Sequence, residues 1–230
     1  MDQPACQPNS IRRFHQLQPQ FLLLVLLLGG GEFAQAKVIY VNASSPTNPP
    51  PDGLTWSTAF VNVSDGLSAA VDGDQVWVAA GIYYGRVGLR AGVALYGGFA
   101  GTETNLDTRN WLGHPTILEG YANTTVVKVP AGATNSTRLD GFVIRNGSSS
   151  MGGGISCSAA SPVIARNLIV GNQAFIAGGG IECSRDAARV RQNRIIANVV
   201  EGGNSYPLWA APESSAPPRA LPPSWATSSP

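Results

Sequence analysis

The chain has 230 residues, 43% of them apolar, so a sizeable core is within reach; only 13% are charged, about half the usual ~25%. The formal net charge is +1 with no block of like charge, which excludes a nucleic-acid groove built on clustered Lys and Arg. Glycine is abundant, and a chain low in charge and rich in Gly and Asn suits stacked strands, where like charges one above another would repel.

Residues 1–36 read as an export signal. Arg12 and Arg13 give the positive flank, Phe21–Leu28 (FLLLVLLL) the apolar run, and Ala34-Gln35-Ala36 an A-x-A cleavage site. The mature chain then begins at Lys37 and is secreted or held at the cell surface. The apolar run is too short to cross a bilayer as a helix, which takes roughly 20 residues, so no transmembrane span is expected in the mature chain. Cys6 leaves with the signal.

Segment 37–130 reads as an N-terminal cap followed by the first, irregular rungs of a coil. Lys37–Asn42 (KVIYVN) is an opening strand and Pro46–Gly53 a proline-rich loop. Ser64–Val71 (SDGLSAAV) predicts a short helix with Ser64 as N-cap and Leu67, Ala70 and Val71 on one face. Laid over the open end, such a helix would protect the first unpaired edge. Asp72-Gly73 turns the chain; Gln75–Ala79, Val93–Tyr96 and Thr116–Leu118 supply strands, and Gly97–Gly113 a projecting loop.

From 131 to 203 the chain repeats. Gly152–Ser158 (GGGISCS) returns as Gly178–Ser184 (GGGIECS), 26 residues later. In the same register Gly141–Asn146 aligns with Asn167–Asn172 and Asn193–Asn198. Val143, Ile169 and Ile195 then form an inward column, and Phe142, Leu168 and Arg194 one that faces solvent. Ile155 and Ile181 form another inward column, as do Ile164 and Val190. Each period holds three short strands, GGISC, PVIA and NLIVG in the first full copy, stacked at about 4.8 Å. The expected fold is all-β: a single-stranded right-handed parallel β-helix with a short N-terminal capping helix. Asn146, Asn172 and Asn198 end the third strand, where Asn tolerates left-handed backbone and stacks into ladders, and the Gly triplets fit a corner too tight for Cβ atoms.

Residues 204–230 are rich in Pro, Ser and Ala and read as a disordered tail, because proline cannot donate to a strand ladder. No capping helix follows the last rung, so the expectation is either a truncated array or a last rung, about 178–200, that is covered by a partner or by self-association.

The stretches YVNASS, DGLTWSTAFVNVSDGLSAAVDGDQVWVAAGIYYG and YGGFAGTETNLDTRNWLGHPTILEG, with the GGGI rungs, resemble exported right-handed β-helix repeat proteins of the pectin-lyase-like superfamily. The GGGI corners are also similar to the repeats of polymorphic outer membrane proteins. The resemblance covers roughly 38–203 and implies fold and export, in a group that includes surface proteins, adhesins and polysaccharide-cleaving enzymes.

Site residues are sparse. The rungs offer Asp140, Glu182 and Asp186 with Arg138, Arg145, Arg166, Arg185 and Arg189, all read as solvated surface charges. The resemblance would ask of a lyase a calcium-binding acid cluster with an Arg or Lys base, and of a hydrolase paired-Asp, G-H-G and R-I-K motifs. Gly113-His114 is followed by Pro115, and Asp107, Arg109 and His114 read as a loop salt bridge or cap. Asp72 and Asp74 are explained by turn chemistry. Cys157 and Cys183 share the inward face one rung apart; since ladder side chains point the same way, buried free thiols are expected over a disulfide. No catalytic, metal or cofactor residue is assigned. Two functions follow: a non-enzymatic exported scaffold in surface, adhesion or glycan-contacting roles, touching an extracellular polysaccharide or cell-surface partner, or, by resemblance alone, a polysaccharide lyase or glycoside hydrolase.

Overall fold

The computed structural model describes residues 36–184 and 188–202. The segment read as an export signal, up to Gln35 and with Cys6, residues Arg185 and Asp186, and residues 204–230 lie outside the described residues.

The described chain is almost entirely β, with all its named strand pairs parallel and compatible with a β-helix or solenoid. It opens with β1 (Val38–Val41) and helix α1 (Val63–Ala69), then three strands, β2 (Gln75–Ala79), β3 (Gly81–Tyr84) and β4 (Val87–Gly88). The next rung repeats them as β5 (Ala94–Phe99), β6 (Thr116–Glu119) and β7 (Val127–Val129). The third brings β8 (Arg138–Asp140), β9 (Phe142–Arg145), β10 (Ser148–Met151) and β11 (Ile155–Ser158). The fourth brings β12 (Val163–Ala165), β13 (Leu168–Val170), β14 (Gln173–Ala177) and β15 (Ile181–Ser184), and the last β16 (Arg189–Arg191), β17 (Arg194–Ile196) and β18 (Val199–Val200). The first sheet runs β1-β2-β5-β8-β12-β16, the second β3-β6-β9-β13-β17, the third β4-β7-β11-β15 and the fourth β10-β14-β18. A full period therefore holds four strands rather than the three expected. The fourth went unread because SSSM, QAFIA and VV share no alternation.

The interior follows from strand alternation. Leu95, Leu139 and Ile164 lie in register down the first sheet and are all fully buried. Val127, Ile155 and Ile181 lie in register down the third and are likewise buried. At the upper end β1 is closed by chain as well as by helix. The N–H groups of Tyr40 and Asn42 donate to the carbonyls of Gly53 and Phe60, and Phe60 N–H donates to Tyr40. Helix α1 buries Val63 and Leu67; a Cβ on Gly66 would stand 2.5 Å from Val41 Cγ2, so its glycine lets the helix settle onto the first rung. Its N-cap is Asn62 rather than Ser64, and it ends at Ala69, which leaves Val71 outside the helix and exposed.

The repeat register differs from the uniform 26 residues expected. Ile169 pairs with Ile144, not Val143, and Leu168 with Val143. Ile144 and Phe142 are buried while Val143 is half-buried, so the expected inward and outward columns exchange places in β9. The offset is 25 residues at Ser149↔Ala174 and 26 at Met151↔Ala177, because a bulge in the β10–β14 pair absorbs one residue. The extra length puts Phe175 and Ile176 on the surface. From there on the offset is 26: Ile155↔Ile181, Cys157↔Cys183, Ile164↔Val190 and Ile169↔Ile195.

The shift also reassigns the asparagines. Asn146, with φ 58°, is equivalent to Gly171 and Ala197, which are left-handed too. The ladder runs one residue later: Gly147 N–H donates to Asn172 Oδ1, and Asn172 N–H to Asn198 Oδ1. A second ladder joins the N–H of Phe142 to Asn167 Oδ1 and that of Asn167 to Asn193 Oδ1. The Gly corner behaves as expected. Gly152 and Gly178 have positive φ, and a Cβ on Gly153 would meet Gln173 O at 2.1 Å.

Cys157 and Cys183 form a disulfide, where free thiols were expected. Their Cα atoms are 4.6 Å apart, inside the range of about 4.4–6.8 Å that a disulfide spans. Side chains that point the same way still lie one rung apart, and a χ1 rotation of each toward the other joins the sulfurs.

Candidate binding cleft

Of the acids and bases singled out in the sequence, one group comes together, and it is not solvated. Asp140 is fully buried on the outer face of the first sheet under the 100–115 loop. Arg109 from that loop, Arg138 from the same strand and Arg166 from the corner below all donate to its carboxylate. Arg109 also donates to the carbonyl of Gly97, and its guanidinium lies 5.0 Å from the Tyr96 ring and 5.5 Å from that of Trp111. Burial alone would raise the Asp140 pKa; the hydrogen bonds and charge of Arg109, then of Arg138, outweigh it and hold the carboxyl below its ordinary value. Every lone pair of Asp140 is turned inward, so the cluster clamps the loop to the sheet and offers no acid to a ligand.

The other candidates are dispersed. Arg145 pairs with Glu119 across β6 and β9. Glu182 accepts from Ser156 Oγ at 3.5 Å, and Arg189 is exposed on β16. Asp107 is the middle residue of a short 3₁₀ turn, Leu106–Thr108, capped by Asn105, and the His114 backbone N–H donates to Asn110 O. Asp74 is buried and accepts from the N–H groups of Lys37 and Val71, as turn chemistry requires; Asp72 is exposed beside Gly92. Among the described residues no group of three His, Cys, Asp or Glu stands close enough to hold a metal ion, and no helix is long and apolar enough to cross a membrane.

A cleft of about 270 Å³ lies elsewhere, between the outer face of the third sheet and β10. In β7, Val127 and Val129 point inward, so Lys128 points out. Above Lys128 in the same column stands Gly88, whose position has nothing within 4 Å of where a Cβ would be. Below it stands Ser156, then Glu182. Arg86 and Thr125 close the upper corner, and Ser149, Ser150 and Met151 form the far wall. Arg86 and Lys128 are both exposed, and among the described residues neither has a carboxylate within 4.0 Å. Two free cations facing hydroxyls from Thr125, Ser150 and Ser156 suit a ligand that is anionic and rich in hydroxyl groups. The volume sits just under the ~300–1,000 Å³ range of small-molecule pockets, room for about one sugar-sized unit at a time. Tyr84 and Tyr121, exposed and stacked at 6.2 Å, precede Arg86 and Thr125 by two and four residues and stand on the corner that leads into the cleft.

No sequence motif marks this cleft as a site. Val127-Lys128-Val129 alternates, which marks Lys128 as outward, but the serine wall has no motif and its strand no apolar signal. Compared with protein-family models, with curated proteins and with solved structures, the chain finds no match.

Proposed function

We propose that this chain is an exported, non-enzymatic scaffold, a right-handed parallel β-helix of the pectin-lyase-like kind, that contacts acidic glycans at the cell surface or outside the cell. The observation that carries this reading is the cleft in which Arg86 and Lys128 stand among four hydroxyl side chains without a carboxylate partner among the described residues. An Arg fork and a Lys point charge recognise a uronate carboxylate or a sulfate, and serine hydroxyls exchange hydrogen bonds with sugar hydroxyls. The right-handed sense rests on the general preference of parallel crossover connections, about 98% of which are right-handed. Export is supported by the signal pattern and by the Cys157–Cys183 disulfide, since structural disulfides persist in oxidising compartments. A lyase would need an accessible acid cluster, and Asp140, the acid at the centre of the rungs' charge cluster, is buried under three arginines.

Incubation of the mature protein with a panel of acidic polysaccharides, with and without calcium, separates scaffold from enzyme. The expected result is retention of polymer with no change in its length. Accumulation of unsaturated product absorbing in the ultraviolet would instead make the chain a lyase.

A further inference from the structure

The lower end of the coil differs in chemistry from every rung above it. Val190 and Ile195 occupy columns in which Ile164 and Ile169 are fully buried, yet each is 41% exposed. On the outer face, Arg189, Arg191 and Arg194 stand where the rung above has Val163, Ala165 and Leu168. All three arginines are exposed, and none pairs with an acid among the described residues. The asparagine ladders stop here as well. Asn167 and Asn172 each give their backbone N–H to the Asn side chain one rung down; the N–H groups of Asn193 and Asn198 have no acceptor among the described residues.

We propose that this end docks a strand of another polypeptide, apolar toward the coil's interior and carrying carboxylates on its outer face. The molecule already contains the contact on which such docking would rest. Glu119 and Arg145 are register neighbours on successive strands of the second sheet and form an ion pair. An acid one rung below Arg189, Arg191 or Arg194 repeats that pair, and an amide or carboxylate at the corners accepts from Asn193 and Asn198. Strand addition supplies the backbone hydrogen bonds, and the side-chain pockets supply selectivity.

Charge decides against the other occupants. A second copy placed end to end would set Arg189, Arg191 and Arg194 against a second set of the same arginines, and like charges directly opposite destabilise a ladder. Residues 203–230 of this chain hold a single acid, Glu213, and seven prolines, too few carboxylates and too many missing donors for the task.

The test uses the full mature chain and a short fluorescent peptide, Glu-Val-Glu-Gly-Asn-Glu-Ile-Val, written in the register of a rung below Arg189–Ile196, with a control in which each Glu is Lys. Fluorescence anisotropy should show the Glu peptide binding at low salt, weakening as salt rises, and the Lys peptide not binding. Arg191→Glu should weaken the Glu peptide roughly tenfold. The triple variant Arg189→Glu, Arg191→Glu, Arg194→Glu should transfer binding to the Lys peptide. Equal binding of both peptides, binding of neither, or equally tight binding of a poly-glutamate peptide lacking apolar residues would overturn the proposal. So would sedimentation of the wild-type chain as a dimer that the Glu peptide does not dissociate.

Discussion

Asp140 is the residue on which the outer face of the first sheet turns. Its carboxylate takes charge-assisted hydrogen bonds from Arg109, Arg138 and Arg166, and through Arg109 it holds the 100–115 loop against Tyr96 and Trp111. Replacing one member of a buried ionic cluster leaves its partners uncompensated, at a cost of about 3–5 kcal/mol. Asp140→Asn should lower stability by that order in urea unfolding, and protease should then reach the loop first. The pH dependence follows from the sign of the shift. The folded-state pKa lies below the unfolded value of about 3.9, so the stabilisation is complete above that value and is lost as pH falls through the folded one. Thermal melts taken downward from about pH 5 should fall more steeply for the wild type than for Asp140→Asn. Parallel slopes would mean that this carboxyl does not carry the acid sensitivity. None of this was legible from residue type. Asp140 is one acid in a chain of scattered charges, and its three partners come from a loop, its own strand and a corner 26 residues away.

At the scale of the element, β9 shows what a repeat can and cannot fix. The GGGI phrase recurs because its corner is crowded by backbone, and that part of the period was readable: Ile155 stacks on Ile181 and Cys157 on Cys183. The same spacing carried into β9 gives the wrong faces, because the residue that makes up the difference lies in β14 between Ala174 and Ala177, opposite Ser149–Met151, where no motif marks it. A slip of one residue turns every side chain of a strand to the other face. Ile144→Ala should therefore cost about 2–5 kcal/mol and Val143→Ala far less, measured as shifts in the denaturant midpoint at constant slope. The uniform register expects the reverse order. Ile169→Asp should likewise be far more damaging than Leu168→Asp, which both registers require. Before residue 130, runs of apolar residues such as Gln75–Ala79 mark strands in the sequence, whereas the short strands Gly81–Tyr84, Val87–Gly88 and Val127–Val129 do not stand out from their flanks. Strands made of small or polar residues, such as Ser148–Met151, are unmarked as well, since their pairing comes from the neighbouring rung and not from their own composition.

The described residues form a stack in which each rung supports the next, closed above by the 53–60 loop and helix α1. The Cys157–Cys183 bond ties two successive rungs from within and closes a loop of 26 residues. Reduction should destabilise the coil by about 2–4 kcal/mol, read as a lower urea midpoint with reductant present, and the oxidised protein should yield no alkylated Cys157 or Cys183 after unfolding. Parallel alternation alone favours free thiols at these two positions, but with Cα atoms 4.6 Å apart the side chains can turn toward one another and join. Arg86 and Lys128 face the serine-lined cleft beside β10, and titration calorimetry of residues 37–230 with an oligouronate probes what they bind. Binding should weaken with salt, be absent for a neutral oligosaccharide of the same length, and disappear in Arg86→Ala, Lys128→Ala with the melting temperature unchanged. Equal affinity for the neutral sugar, or undiminished oligouronate binding in the double variant, would contradict recognition of acidic glycans by this cleft.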